Sequence, residues 1–163
     1  MATLDNAVWL TGTGGFAESG STTINDGSLS TIVTAVFTAN AWDASQSGYN
    51  ISEFGAFGVT SPISAQYSFS EPVENLTFNF NHVNDDGGST YDDMWTIYAY
   101  DENGVLIDSA DIIAAISGVQ DESVYANPDG SVTIEATGTI ANDVTFNYAG
   151  YISEIEQIGR AHV

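Results

Sequence analysis

Cationic side chains are nearly missing from this chain. A single Lys or Arg, Arg160, stands against 22 Asp and Glu, for a formal net charge of −21. Residues 1–157 contain neither Lys nor Arg. Nucleic-acid binding needs cations that replace phosphate counterions, so nucleic acid is excluded as a direct partner. Anionic membrane surfaces are excluded on the same ground. Cysteine is absent as well, which removes disulfides, thiolate metal sites and Cys catalysis. No apolar run reaches the roughly 18 residues of a spanning helix, so no membrane insertion is expected. The first residues show neither a basic region nor an apolar one, so no N-terminal signal peptide is expected. Long helical periodicities are also missing.

What remains describes one globular all-β domain. The 163 residues are one domain's worth. Apolar content of 43% and aromatic content of 12% suffice for a packed core and argue against disorder. The excess negative charge repels itself. Salt relieves such repulsion, since the Debye length falls from about 10 Å at 0.1 M to about 3 Å at 1 M. Bound divalent cations relieve it too. A marine, halophilic or calcium-rich extracellular or cell-surface setting is therefore expected.

The most informative stretch is 83–101. Asp85, Asp86, Asp92 and Asp93 lie within nine residues and run into a strand in which Trp95, Ile97 and Ala99 alternate with Thr96, Tyr98 and Tyr100. Two like charges 4 Å apart cost about 4 kcal/mol at an effective dielectric near 20. With almost no cationic side chain to help, a metal ion is the expected counter-charge. Hard oxygens on a Gly-containing loop favour Ca²⁺. The spacing is neither that of an EF-hand nor that of a glycine-rich nonapeptide repeat, and a solvated acidic loop is the alternative reading.

Along the chain, short strands are expected around Val8, Trp9 and Leu10, over 29–39, over 65–71, and at Leu76, Phe78 and Phe80. Residues 17–28 read as small and polar, with a turn at Asn25-Asp-Gly27. Pro72 is expected to break its strand. Asp101-Glu-Asn-Gly104 reads as a hairpin turn with a return strand over Val105–Ser109. Residues 110–119 are ambiguous, with a short helical turn as one option. Asn127-Pro-Asp-Gly130 is a second turn. Val132, Ile134 and Ala136 alternate, as do Val144, Phe146 and Tyr148, and Ile152 and Ile155 close the pattern. Many short strands between regular turns predict a jelly-roll-like β-sandwich. Phe69, Phe78, Phe80 and Trp95 share the inward phase and are expected in the core.

The order Phe57-Gly-Val59, Tyr67-Ser-Phe-Ser-Glu-Pro-Val73, Leu76-Thr-Phe-Asn-Phe80, Asp93-Met-Trp-Thr-Ile-Tyr-Ala-Tyr-Asp-Glu-Asn-Gly104, Gly130-Ser-Val-Thr-Ile134 and Tyr151-Ile-Ser-Glu-Ile155 resembles a jelly-roll domain of secreted or surface proteins of marine bacteria. That domain often accompanies type I-secreted calcium-binding adhesins. The match covers about 55–156 and speaks to fold more than function. It implies a calcium-tolerant extracellular accessory module that binds glycans without a catalytic motif.

The tail, Ile158-Gly-Arg-Ala-His-Val163, departs from the strand pattern and matches one reading frame of a common sequencing-adapter oligonucleotide. The expected organisation is thus a β-sandwich over 1–157 and a non-native tail over 158–163, from a gene recovered by environmental sequencing, with an ordinary tail as the alternative.

No catalytic residue stands out. His82 has no Gly-X-Ser-X-Gly elbow to serve, and reads as structural or surface. Glycoside hydrolysis needs a carboxylate pair, which chance supplies among 22 acids. Exposed aromatic rings are more telling, because sugar faces stack on Trp and Tyr. Trp42, Tyr49, Tyr91, Tyr98 and Tyr100 are the candidate ligand-binding residues. The reading is a non-enzymatic, Ca²⁺-stabilised binding or adhesion module for a glycan or cell-surface polysaccharide. The alternatives are a self-associating subunit of an extracellular fibre, sheath or virion surface, and a glycan hydrolase.

Overall fold

The computed structural model describes residues 19–26, 29–37, 63–83, 85 and 93–161. The expected strand around Val8, the segment Phe57-Gly-Val59, and the positions Trp42, Tyr49, Asp86, Tyr91 and Asp92 lie outside these residues. Within them the fold is all-β and antiparallel, as the alternation predicts. The strands are β1 (Ser19–Asp26), β2 (Leu29–Phe37), β3 (Ile63–Val83), β4 (Asp93–Tyr100), β5 (Ile116–Ser117), β6 (Glu122–Ala126), β7 (Val132–Ala136) and β8 (Asn142–Ala161). Among the described residues a helix, α1 (Ser109–Ala114), precedes β5. The hydrogen-bonded order is β1-β2-β3-β8-β4-β7-β6, with β5 paired to β8 off this path.

β3 and β8 form the spine, and both bend. Tyr67 and Phe78 lie eleven positions apart on β3, about 36 Å in a straight strand, yet their ring centroids are 5.5 Å apart. Phe80 and Trp95 likewise meet at 5.4 Å, although their partners on β8, Val144 and Gly159, are fifteen positions apart. The ribbon therefore folds over, and its two arms share one core. Register shifts between Ser68 and Val73 and between Glu74 and Leu76 mark the corner. At the second, Asn75 adopts φ 57°, the left-handed conformation that Asn tolerates better than most residues. Bulges of this kind bend a strand and switch which residues face inward. Buried positions accordingly change phase, from Tyr67 and Phe69 to Leu76, Phe78 and Phe80 on β3, and from Ile152 to Ile155 on β8.

The core holds the residues assigned to it, Phe69, Phe78, Phe80 and Trp95, together with Ile97, Val132, Ile134, Phe146, Ile152 and Ile155. Burying each such side chain contributes roughly 1.5–3 kcal/mol. α1 starts where Asp108 accepts a hydrogen bond from the Ala110 N–H at 2.8 Å, a side-chain cap for an otherwise unpaired amide. It buries Ile112 against the core.

Four sequence expectations change. Residues 19–26 form a strand paired with β2; small polar residues give little β signal of their own, and the ladder with β2 decides. Pro72 does not end its strand, because it falls where β3 and β8 are out of register and a missing N–H costs no ladder bond. The return strand after Gly104 shrinks to one bridge, Tyr100 to Leu106, before α1 begins. Residues 158–161 keep the strand pattern, paired with Thr96 back to Asp93 of β4. A Cβ on Gly159 would stand 2.8 Å from Cζ3 of Trp95, so the indole ring uses the space that glycine leaves.

Candidate ligand face

The outward side of β4 carries Thr96, Tyr98 and Tyr100, all half-buried, while Trp95, Ile97 and Ala99 face in. Register extends this face on both sides. Tyr98 lies opposite Glu156 of β8 and Tyr100 opposite Glu154. Beyond β8, Gln66 lies opposite Glu156 and Ser68 opposite Glu154. On the far side Thr96 lies opposite Thr133 of β7, which in turn faces Tyr125 of β6. The result is a sheet surface with three tyrosines set among carboxylates, hydroxyls and an amide.

Hydrogen bonds hold these groups in place. The Tyr98 hydroxyl donates to Asp129 Oδ2 at 2.9 Å. Asp129 Oδ1 accepts from the Ser131 hydroxyl at 2.7 Å and from its N–H at 3.0 Å. The Asn127 amide donates to the Ser131 hydroxyl at 2.9 Å and to the Thr133 hydroxyl at 2.8 Å. The Thr133 and Thr96 hydroxyls are 3.1 Å apart. One chain of contacts thus runs from β4, through the β6–β7 turn, back to β4. Across the face, Gln66 Nε2 and the Ser68 hydroxyl donate to the two Glu154 oxygens at 2.8 and 3.0 Å. The Tyr125 hydroxyl donates to Glu135 Oε2 at 3.0 Å.

The electrostatics follow from these contacts. The bond to Asp129 raises the Tyr98 hydroxyl above its ordinary pKa, with burial adding to it. Burial, then Glu156 and Glu154, raise Tyr100. The bonds from Ser131, followed by that from Tyr98, hold the Asp129 carboxyl below its ordinary value. Both tyrosines therefore stay neutral hydroxyls at physiological pH, beside carboxylates whose oxygens accept hydrogen bonds.

The acidic loop is anchored at both ends. Asp85 is half-buried and its N–H donates to the Gly138 carbonyl at 2.9 Å. Asp93 opens β4 opposite Ala161. Among the described residues no three His, Cys, Asp or Glu side chains gather at metal-binding distance, and Asp86 and Asp92 lie outside them. His82 occupies the out-of-register stretch between Phe80 and Val83. Of the aromatic candidates, Tyr98 and Tyr100 share one face, whereas Trp42, Tyr49 and Tyr91 lie outside the described residues.

Sequence reasoning missed Gln66, Tyr125, Asp129, Glu154 and Glu156 as members of this face. Only the alternation of Glu154 and Glu156 with Ile155 hinted at it. Comparisons of the chain with protein families, curated proteins and solved structures give no match. The functional reading therefore stands on the chemistry of the face.

Proposed function

We propose that this chain is a non-catalytic, calcium-stabilised binding or adhesion module of a secreted or surface-exposed protein, and that it takes a neutral glycan on the outer face of β4. The observation that carries the reading is the pair Tyr98 and Tyr100, side by side on one strand and flanked by Asp129, Glu154 and Glu156. Sugar rings offer apolar faces that stack on tyrosine and hydroxyls that donate to carboxylates. A net charge of −21 repels anionic polysaccharides, which selects for neutral ones.

The fold proposed with this function is a jelly-roll β-sandwich. In its support, β3-β8-β4-β7 on one arm and β3-β8-β5 on the other are the neighbours that interleaved Greek keys produce. Ca²⁺ would bind Asp85, Asp86, Asp92 and Asp93 and hold the loop that leads into β4.

A glycan array, followed by affinity gels in Ca²⁺ and in EDTA, tests the reading. Binding to a neutral glycan is expected, with Tyr98→Ala and Tyr100→Ala each weakening it at least tenfold. Arrays blank in both conditions would rule it out. The second reading, a subunit of an extracellular assembly, draws on β6, which pairs only with β7 among the described strands. Such an edge can accept a strand from a neighbour. Concentration-dependent fibres in electron micrographs would favour it.

A further inference from the structure

The outer face of β4 and β8 holds polar groups of two kinds. Asp129 and Glu154 are engaged within the protein. Asp129 accepts from Tyr98 and Ser131, and Glu154 accepts from Gln66 on one oxygen and Ser68 on the other. Glu156 and the Tyr100 hydroxyl differ: among the described residues neither has a hydrogen-bond partner. The pairing explains why. Gln66 lies opposite Glu156 across the β3–β8 ladder, yet its amide reaches diagonally to Glu154. Tyr98 lies opposite Glu156 on the other side, yet its hydroxyl reaches away from β8 to Asp129 in the β6–β7 turn. Both natural donors to Glu156 are thus turned to other carboxylates.

Glu156 stays beside the rings all the same. It is half-buried and stands between Ile155 and Gln157, which are buried in the core phase, so its side chain belongs to the outer face. Directly opposite residues of an antiparallel pair hold their Cβ atoms about 4.5–5.5 Å apart, and diagonal ones about 7–8 Å. Tyr98 is therefore its near neighbour and Tyr100 its diagonal one. Its charge contributes, behind Asp129 and burial, to the raised pKa of Tyr98 and, behind burial, to that of Tyr100. A carboxylate only accepts hydrogen bonds, whereas a tyrosine hydroxyl also donates. A ligand that displaces ordered water from such groups without reproducing its hydrogen bonds loses affinity.

We propose, resting on the glycan reading of this face, that Glu156 and the Tyr100 hydroxyl are its specificity-determining groups. Glu156 accepts a hydrogen bond from an unsubstituted sugar hydroxyl, and the Tyr100 hydroxyl bonds a neighbouring oxygen of the same sugar. The class this favours is a neutral glycan with free adjacent hydroxyls, over one whose hydroxyls are capped as ethers or esters. A capped oxygen carries no proton, so it would set one acceptor against another at the carboxylate. A site built to hydrogen-bond a hydroxyl rejects an analogue lacking it more strongly than an apolar pocket rejects a change of size. Asp129 and Glu154 hold Tyr98 and Gln66 aside, which leaves Glu156 open to the ligand.

An array of neutral oligosaccharides, each printed with free hydroxyls and again as its O-methyl ether, tests this with the whole chain. The parent is expected to prefer the free forms. Glu156→Gln keeps the size of the side chain and removes its charge. It is expected to weaken binding of the free forms about tenfold, as for a lost hydrogen bond to a charged group, and to narrow their advantage over the ethers. Tyr100→Phe keeps the ring and removes only the hydroxyl, and it is expected to weaken the free forms as well. The proposal is overturned if either variant binds the free forms like the parent. It is also overturned if Glu156→Gln keeps the parent's full preference, since steric exclusion of the ethers then accounts for it. In both cases the glycan reading survives if Tyr98→Ala weakens binding. A parent chain that binds nothing on the array removes that reading and this proposal together. Circular dichroism confirms that each variant folds; should Glu156→Gln not fold, Tyr100→Phe decides alone.

Discussion

Gln157 sits in the core phase of β8, opposite Ala65 on one side and Ile97 on the other. It is fully buried, and neither its Nε2 nor its Oε1 has a hydrogen-bond partner. Leaving a buried amide unpaired costs about 1–3 kcal/mol by the measure of protein mutations. Methionine has nearly the same shape without that penalty. Gln157→Met is therefore expected to raise the free energy of unfolding by about 1–3 kcal/mol in urea titrations. A loss of stability would show that the amide holds something the core requires. The residue also shows what a sequence conceals. Its phase matches Ile155, yet its polar character assigns it to the surface, and only the ladder on both sides of β8 reveals its burial.

The two turns that face one end of the sheet are held by their own carboxylates. Asp101 Oδ1 accepts from the N–H groups of Asn103 and Val105 at 2.8 and 2.9 Å, and Gly104 takes φ 72°. Asp129 does the same for Ser131 in the turn that ends with Gly130 at φ 88°. The bond from Val105 leads in lowering Asp101, and those from Ser131 lead for Asp129. Because the folded pKa values lie below the unfolded one, near 3.9, the stability these groups add is complete above about pH 4. It disappears as pH falls through the folded values. A chain with Asp101→Asn and Asp129→Asn should melt below the parent at pH 7, and the gap should close below about pH 4. A gap of constant size across that range would refute the assignment.

Both turns were legible in the sequence, since Gly after Asp or Asn marks a positive φ, and so were the aromatic strands. The β1 strand was not, because Ser, Gly and Thr pair only once β2 offers a ladder. The ligand face was half legible. Tyr98 and Tyr100 follow from alternation within β4, whereas Glu154 and Glu156 join them through a register set by residues more than fifty positions away.

At the scale of the whole molecule, one cationic residue cannot balance 22 acids, so the folded chain concentrates its own repulsion. Melting temperature should rise with NaCl as the Debye length shrinks from about 10 Å to about 3 Å. Millimolar CaCl₂ should raise it further than NaCl of equal ionic strength. An ion bound only by the native state at about 100 times its Kd adds about 2.7 kcal/mol. Equal effects of the two salts would remove Ca²⁺ from the account and leave screening alone. The place of β8 has a different consequence. It lies between β3 and β4 in the sheet yet follows every other described strand along the chain. During synthesis, β3 and β4 wait without their shared partner until residues 142–161 have been made. The pairing that closes the spine spans nearly a hundred positions, from Ile63 to Gly159. Such distant pairings are slow to form, so the spine closes late in folding, only once β8 can reach both of its neighbours.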